Sequence, residues 1–298
     1  MFNFVKNRRY FYLFSSVLIV LSIFSIFFWK LNLGIDFRGG TIIELSAANI
    51  AESSDQIQST ASASGIIIDS IRNSGNDKII LRTQDLSIEE HKSLISNLKN
   101  TVSQQIIEDN YQTVGPVISR DLTNKAVWSV IIASIAIILY IAFAFRKVPK
   151  PMVSWKFGVT AVVALIHDLI ITTGFVSIFG HFYHWMQADS LFITALLTIM
   201  GFSVHDTIVV FDRLRENQIR HPNLDIETLA NDSILQTISR SINTSLTTIL
   251  VLLTLFIIGG ESISHFVLIL IVGITFGTYS SIFIATMLLV SWSKTVKN

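Results

Sequence analysis

Six long apolar runs alternate with polar segments along the chain, and each approaches the roughly 20 helical residues that span a hydrocarbon core. Four runs contain no charged residue, whereas the third and the fourth each contain one adjacent His–Asp pair. The pattern therefore predicts six transmembrane helices. They correspond to Phe11–Trp29, Ala126–Phe145, Phe157–Gly180, Ser190–Phe211, Ser241–Ile258 and Phe266–Trp292.

Lys and Arg residues flank these runs unevenly. They occur before the first run, within 146–156 and 213–240, and after the sixth run, but not within 181–189 or 259–265. By the positive-inside rule, this bias predicts that both termini lie in the cytoplasm. The first run lacks the cleavage site of a signal peptide, so we expect an uncleaved anchor.

This topology divides the chain into three parts. Residues 1–30 form the cytoplasmic N-terminus and the first helix, and residues 31–124 form an external domain. Residues 125–298 form the other five helices, with a cytoplasmic loop at 212–239 and a cytoplasmic C-terminus.

The external part combines strand-like and helix-like patterns. Their order, β-α-β-β-α-β, is that of the split ferredoxin-like arrangement, which predicts a small α+β domain. Ser87 and Glu90 have the spacing of a capping box at the start of the second helix. The predicted strands are Thr41–Leu45, Ile66–Ile71, Lys78–Arg82 and Tyr111–Val117, and the predicted helices are Ser53–Ser64 and Ser87–Ile107.

Composition excludes several classes of protein. Only 14% of the 298 residues are charged and 51% are hydrophobic, whereas an ordinary soluble domain is about 25% charged. This composition argues against a disordered protein and against an ordinary cytosolic enzyme, and it fits an integral membrane protein with a soluble segment. Residues 31–124 contain seven Lys and Arg against twelve Asp and Glu, so they are a poor candidate for binding nucleic acid. The chain contains no cysteine, which excludes disulfides and thiolate metal sites.

The segment after the fourth run contains a further helical pattern. Pro222 is expected to end the fourth helix beyond the membrane. Apolar residues then recur on one side of Asp225–Ile238. This predicts a separate helix that lies along the membrane interface.

Two carboxylates inside apolar runs are the strongest functional candidates. An Asp near the bilayer centre costs about 2.5–3.5 kcal/mol on insertion scales, so Asp168 and Asp206 are expected to face the bundle interior and serve a pathway. His167 and His205 precede them, and a His–Asp pair can relay protons near neutral pH. The alternative is that each Asp is a structural residue bonded to nearby hydroxyl or imidazole groups.

A polar stripe runs beside Asp206. Thr194, Thr198, Gly201 and His205 recur at helical spacing, and a polar face that begins at Arg240 on the fifth run could confront them. Arg240 could pair with Asp206, favour the charged form of its carboxyl group and release it when the helices move. By position alone, Arg240 is also explained as an interfacial anchor.

Glycines mark two further features. Gly273 and Gly277 belong to a small-residue pattern that permits close helix packing, either within the chain or against a partner helix. Gly201 of the fourth run is a further candidate for helix packing or a hinge. Gly34, Gly39 and Gly40 follow the first helix, where positive φ angles would permit a turn. A hinge is the functional alternative to that turn.

Several catalytic motifs are absent. The sequence has no P-loop, no G-x-G-x-x-G after a strand and no H-E-x-x-H. An enzyme is therefore the weakest interpretation, and we expect no cofactor or metal. Work would have to come from a partner's nucleotide or from an ion gradient, which supplies about 2.3 kcal/mol per charge per 100 mV.

Several segments resemble one family. Gly34-Ile-Asp-Phe-Arg-Gly-Gly40 resembles the G-[IL]-D-F-x-G-G element of SecF subunits. The segments 195–217, 239–248 and 273–281 are similar to the family's fourth, fifth and sixth helices. The resemblance spans essentially the whole chain. SecF belongs to the bacterial SecD–SecF accessory complex of the protein translocase, which is related to RND exporters.

The resemblance implies a subunit that promotes protein export across the bacterial inner membrane, with protons as the coupling ion. It implies SecD as partner, then SecYEG, YajC and the unfolded polypeptide in transit. If the roles of the family's residues are transferred to the matching positions, the resemblance implies that Asp206 is a protonatable carboxylate and Arg240 its charged neighbour. Asp168 and His167 match a His–Asp pair of the family's third helix. His205 departs from the family, where Asn is expected.

Two alternatives remain beside this function. One is an RND-like exporter subunit for a small molecule or lipid, although the single modest external domain argues against it. The other is a scaffold that holds SecD without moving protons.

Overall fold

The computed structural model describes residues 3–146, 153–183 and 185–295. The chain forms two compact units, Leu33–Ala126 and the combination of Met1–Asn32 with Val127–Asn298. In chain order the elements are α1 (Arg8–Phe28), α2 (Ile35–Arg38), β1 (Gly40–Ser46), a 3₁₀ turn (Ile50–Ser53), α3 (Ser54–Ala63), β2 (Ile68–Asn73), β3 (Lys78–Thr83), α4 (Ile88–Thr101), β4 (Ile107–Val114), α5 (Pro116–Ala144), α6 (Ser154–Phe182), α7 (Ser190–Arg220), α8 (Ile226–Ile258), α9 (Glu261–Tyr279), a π-helical segment (Ser280–Ala285) and α10 (Thr286–Thr295).

The unit Leu33–Ala126 contains one antiparallel sheet with the strand order β2-β3-β1-β4. Alternate residues of the two central strands are fully buried, as the period of two in a strand requires. They pack with the apolar faces of α3 and α4 into one core. The predicted ferredoxin-like α+β domain is therefore confirmed. Its central buried residues are Ile43, Leu45, Ile79, Leu81, Ile57, Leu94 and Leu98.

Two predicted boundaries in this unit are wrong. The second helix ends at Thr101 rather than at Ile107, and the last strand is Ile107–Val114 rather than Tyr111–Val117. The polar composition at the start of β4 conceals its strand pattern. Pro116 is the first residue of α5, a position that proline favours in helices. The chain therefore leaves the strand after Val114.

The predicted capping box at α4 is confirmed. The Ser87 hydroxyl oxygen accepts a hydrogen bond from the Glu90 backbone N–H, and the Glu90 carboxylate accepts one from the Ser87 N–H at 2.8 Å. This backbone N–H lowers the pKa of the Glu90 carboxyl below its usual value.

The glycine-rich element after α1 forms a short helical turn. Gly34 caps α2, and Gly39 and Gly40 have φ angles of +79° and +128°. A β-carbon at Gly40 would lie 2.7 Å from the Thr83 carbonyl oxygen, so the approach to β3 also requires glycine. These features favour the interpretation as a structural turn.

The other unit contains the six predicted long apolar helices, with α5 included from Val127 onward. Their candidate spans are Arg8–Phe28, Pro116–Ala144, Ser154–Phe182, Ser190–Arg220, Ile226–Ile258 and Ile263–Ser293. The six-helix fold class is thus confirmed, although most helices continue beyond their apolar runs. The sixth span contains the π-helical segment, an irregularity that often occurs at functional sites.

The predicted interfacial helix at Asp225–Ile238 is wrong. Its residues are the first turns of α8, which continues without a break to Ile258 because no Gly or Pro interrupts it. Leu229 and Ile234 are buried against the bundle rather than free to face a membrane surface. The predicted loop at 212–239 therefore reduces to a turn around Pro222.

The N-terminal segment lies at the same end of the bundle as this turn. The Arg8 guanidinium forms an ion pair of 2.5 Å with Glu227, in the first turn of α8. The Phe4 backbone N–H donates a hydrogen bond to the Asn231 side-chain oxygen at 2.8 Å. These contacts fix the start of α1 beside the start of α8.

Candidate functional site: carboxylates within the helical bundle

Asp168 lies at the centre of a polar cluster between α6, α7 and the π-helical segment. Its side chain is fully buried. The Ser203 and Ser280 hydroxyls donate hydrogen bonds to Oδ2 at 2.6 and 2.7 Å. His167 Nδ1 lies 3.0 Å from Oδ1. Three polar neighbours therefore compensate for the burial of this carboxyl group.

The cluster continues along α7 toward Asp206. Ser281 donates a hydrogen bond to the Ser203 backbone carbonyl at 2.7 Å and accepts one from Thr207 at 2.9 Å. The hydroxyl groups of Ser203, Ser281 and Thr207 thus form a cluster that extends one turn along α7 from Asp168. Thr207 directly follows Asp206 in the sequence, but among the described residues no hydrogen bond of this cluster reaches the Asp206 carboxyl group. Sequence analysis missed these hydroxyl residues, although Ser203 and Thr207 have the i, i+4 spacing of one helical face.

His167 is also buried. Its Nδ1 contacts Asp168, whereas its Nε2 has no hydrogen-bond partner in the described part of the chain. A neutral imidazole that donates from Nδ1 would leave Nε2 as an acceptor. Such a tautomer can accept a proton, so the His167–Asp168 pair has the geometry that the relay hypothesis requires.

Asp206 is buried between α7, α8 and α9. The Ser245 hydroxyl on α8 lies 3.5 Å from its Oδ2 and 2.5 Å from the Thr278 hydroxyl on α9. This environment is less strongly bonded than that of Asp168. No hydrogen bond joins His205 to Asp206 among the described residues, because the His205 side chain points to the exposed face of α7.

Arg240 forms no ion pair with Asp206 in the residues that the structure describes. Its side chain is exposed and lines a cavity between the end of α5, the last third of α7 and the middle of α8. Arg240 precedes Ser245 by five residues, or about 7.5 Å along the helix axis. A direct contact with Asp206 would require the long Arg240 side chain to reorient, α8 to move relative to α7, or both.

The polar stripe of α7 does not pack against α8. Thr194, Thr198, Gly201 and His205 are all exposed, and so are Asn243 and Thr247 on α8. The face of α8 that meets Asp206 instead carries Ser245. The threonine hydroxyls donate hydrogen bonds to carbonyl oxygens of their own helices. Their hydrogen-bonding capacity is therefore used without contact to another helix.

The predicted packing glycines have different environments. A β-carbon at Gly273 would overlap the Ile199 side chain, and one at Gly277 would lie 3.2 Å from Ser203 Cβ. Both glycines therefore permit close contact between α9 and α7. Of the two alternatives for the small-residue pattern, this is packing within the chain rather than packing against a partner helix. At Gly201, no described atom lies within 4 Å of the position that a β-carbon would occupy.

Asp189 and His265 form a contact at the N-terminal end of α7, the end away from the Pro222 turn. Asp189 caps this helix through the Phe192 N–H, and its Oδ2 lies 2.9 Å from His265 Nε2. Burial alone would raise the pKa of the Asp189 carboxyl, but the hydrogen bonds from His265 and Phe192 outweigh it and lower the pKa. Among the described residues, no group of three His, Cys, Asp or Glu side chains could hold a metal ion.

Comparison with known families supports a common origin for this arrangement. Residues 94–295 match the model described as "Protein export membrane protein SecD/SecF, C-terminal", and residues 24–49 match the SecD/SecF GG motif. The chain belongs to the SecD/SecF family. The predicted resemblance is therefore confirmed over both the glycine-rich element and the helical bundle.

Similar SecD/SecF proteins cover nearly the whole chain. The protein translocase subunit SecF of Thermobaculum terrenum is 39% identical over 98% of this chain and 94% of its own length. The SecF subunit of Anaerolinea thermophila is 36% identical over 98% of this chain and 94% of its own length. SecDF of Bacillus subtilis is 34% identical over 97% of this chain but only 38% of its own length. These relatives are named as translocase subunits rather than as enzymes.

A solved structure of the family has the same fold. The crystal structure of SecDF from Thermus thermophilus, described as a translocon-associated membrane protein, superposes with a TM-score of 0.82 and 33% identity. The match covers 98% of this chain and 39% of the SecDF chain. SecDF in a super-membrane-facing form gives a TM-score of 0.69. This chain thus spans about two-fifths of the solved SecDF protein.

Proposed function

We propose that the chain is a SecF subunit that acts with SecD and uses the proton-motive force to promote protein export across the bacterial inner membrane. The observation that carries this proposal is Asp206, a buried carboxyl group inside an apolar helix of a protein-export family. An intramembrane carboxyl group generally serves an ion or proton pathway.

The proposed mechanism depends on the charge of Asp206. When it is deprotonated, its carboxylate attracts Arg240 across the low-dielectric bundle, and protonation removes that attraction. Because the two side chains are not paired here, we propose that pairing draws Arg240 toward Asp206 and moves α8 relative to α7. Each cycle of proton binding and release would then change the packing of the two helices. His167 and Asp168 are proposed as a second proton-binding pair on the same pathway.

The exposed polar face of α7 and α8 supports SecD as the partner. His205 and Asn243 cannot satisfy their polar groups against lipid tails, and such residues generally face protein or water inside a membrane. A second set of transmembrane helices from SecD would cover this face. The fused SecDF relatives provide the precedent for such an assembly.

The proposed topology places both termini in the cytoplasm, because the basic segments cluster at the corresponding end of the spans. The unit Leu33–Ala126 then lies outside the inner membrane. Contact with SecYEG, with YajC and with the emerging unfolded polypeptide is part of the same proposal.

The test compares Asp206→Asn with the matched variant Asp232→Asn, which makes the same chemical change in the part of α8 before its apolar run. Both are assembled with SecD in vesicles, and proton-driven export and proton flux are measured. Asp206→Asn should abolish both activities while SecD still co-purifies, and Asp232→Asn should retain them. Normal export by Asp206→Asn would instead favour the non-conducting scaffold.

A further inference from the structure

A cavity of about 450 Å³ opens between the end of α5, the last third of α7 and the middle of α8. Its wall includes the apolar residues Phe145, Ile208 and Val209. The same wall contains three arginines against two acidic residues. A cavity that offers both apolar and cationic side chains matches an anionic amphiphile better than it matches a purely ionic ligand.

The acidic residues of the wall neutralise only part of the positive charge. Glu216 forms ion pairs of 2.5 Å with both Arg213 and Arg220. Arg213 also donates from Nε to Gln236 at 2.5 Å, so its guanidinium is already engaged. These contacts hold Arg213 as part of the wall and leave Glu216 unable to compensate the other arginines.

Arg215 and Arg240 retain unused capacity to donate hydrogen bonds. Arg215 lies 3.7 Å from Asp212, which is too long for a good hydrogen bond. Its Nε is shielded from solvent and has no hydrogen-bond partner in the described residues. Arg240 forms no ion pair within the same part of the chain. Guanidinium groups bind phosphate oxygens in a planar, bidentate geometry.

We propose that this cavity binds the phosphate of an anionic phospholipid. Arg215 and Arg240 would hold the phosphate, and an acyl chain would follow the apolar wall beside Phe145 toward the bilayer. The cavity lies at the end of the spans where the basic segments cluster, and basic pockets between helices at that level bind anionic headgroups. Arg240 is also the proposed partner of Asp206, so a bound phosphate would compete with the Asp206 carboxylate for this side chain. The binding measurement below needs no proton transport, so its outcome is distinct from that of the export test.

Native mass spectrometry of the full chain and of its SecD complex tests the site with three probes. These are phosphatidylglycerol, zwitterionic phosphatidylethanolamine and inorganic phosphate. We expect retention of phosphatidylglycerol alone at micromolar concentration. Arg215→Gln should weaken its binding by at least fivefold, whereas Asp212→Asn should strengthen it because that change removes a negative charge beside Arg215. Arg9→Gln, the same charge change on α1 outside the cavity, should have no such effect.

The opposite signs of these two effects keep the test decisive if one variant does not fold. Equal binding of both lipids would overturn the proposal, as would unchanged phosphatidylglycerol binding in both Arg215→Gln and Asp212→Asn. Binding of inorganic phosphate with the same affinity would assign the site to a free anion instead. Loss of the lipid on assembly with SecD would show that the partner covers the cavity, and would also overturn it.

Discussion

Gly174 of α6 lies so close to Ser22 of α1 that a β-carbon at position 174 would overlap the side chain and backbone of that serine. Two further hydrogen bonds join the helices at this level. Ser25 donates to the Gly174 carbonyl oxygen at 3.1 Å, and Ser177 donates to the Ser25 carbonyl oxygen at 2.9 Å. The position of α1 therefore depends on small residues rather than on large apolar ones.

Gly174→Ala should separate α1 from α6 and destabilise the bundle by about 1–3 kcal/mol, the usual range for overpacking. Gly201→Ala is the matched control, because its added methyl group meets no neighbour within 4 Å. The control should be neutral or slightly stabilising, since alanine favours a helix by about 0.5–1 kcal/mol. Denaturant titration in detergent measures both, and equal stabilities would contradict the assigned contact.

Ser203→Ala should destabilise the bundle by about 1–3 kcal/mol, because it removes one of the hydrogen bonds to the buried Asp168 carboxyl group. Ser264→Ala is a suitable control, since its exposed hydroxyl bonds only to its own helix. Thermal unfolding in detergent provides the measurement.

Normal proton flux in a destabilised Asp168→Asn variant would support the structural role for Asp168 over the proton pathway.

Ser87→Ala should destabilise α4 by about 1 kcal/mol, because the variant loses the side-chain cap. Hydrogen exchange of the α4 amides in the full chain should become roughly fivefold faster, as this energy implies. Ser59→Ala in α3 serves as control, because its exposed hydroxyl contacts only a backbone carbonyl within its own helix. Unchanged exchange in Ser87→Ala would contradict a stabilising cap.

Stability should fall in acid through Asp189. Its pKa is lowered by folding, so its contribution is present above the unfolded value of about 3.9 and is lost as pH falls through the lower folded value. Asp189→Asn should flatten this part of the profile, whereas Asp232→Asn, in the first half of α8, should not. Thermal unfolding between pH 6 and pH 2.5 measures the difference. Parallel profiles for the original chain and Asp189→Asn would argue against this contact.

The sequence predicted those features that depend on local pattern. Six apolar runs indicated six helices, and alternation with a capping box indicated the α+β domain. The interfacial helix was wrong because the apolar face of Asp225–Ile238 looks the same whether it meets lipid or protein. Only tertiary packing distinguishes these cases, and Leu229 and Ile234 pack against the bundle.

The candidate site was predictable in its charges but not in its contacts. Asp168 and Asp206 stood out because carboxylates are rare in apolar runs. Their hydroxyl neighbours did not, since Ser and Thr are common in membrane helices and usually bond to their own backbone. The partners of Asp168 come from two other helices, far apart in sequence, and only the fold brings Ser203 and Ser280 together.

The unbroken α8 also has a mechanical consequence. Its 33 residues extend for about 50 Å, well beyond a hydrocarbon core of about 30 Å. Near the Pro222 turn it is fastened to α7, where Asn217 donates hydrogen bonds of 2.9 Å to Ser233 and Gln236. A helix without a flexible joint is stiff along its length, so the hairpin around Pro222 and the part of α8 beside Asp206 form one rigid piece.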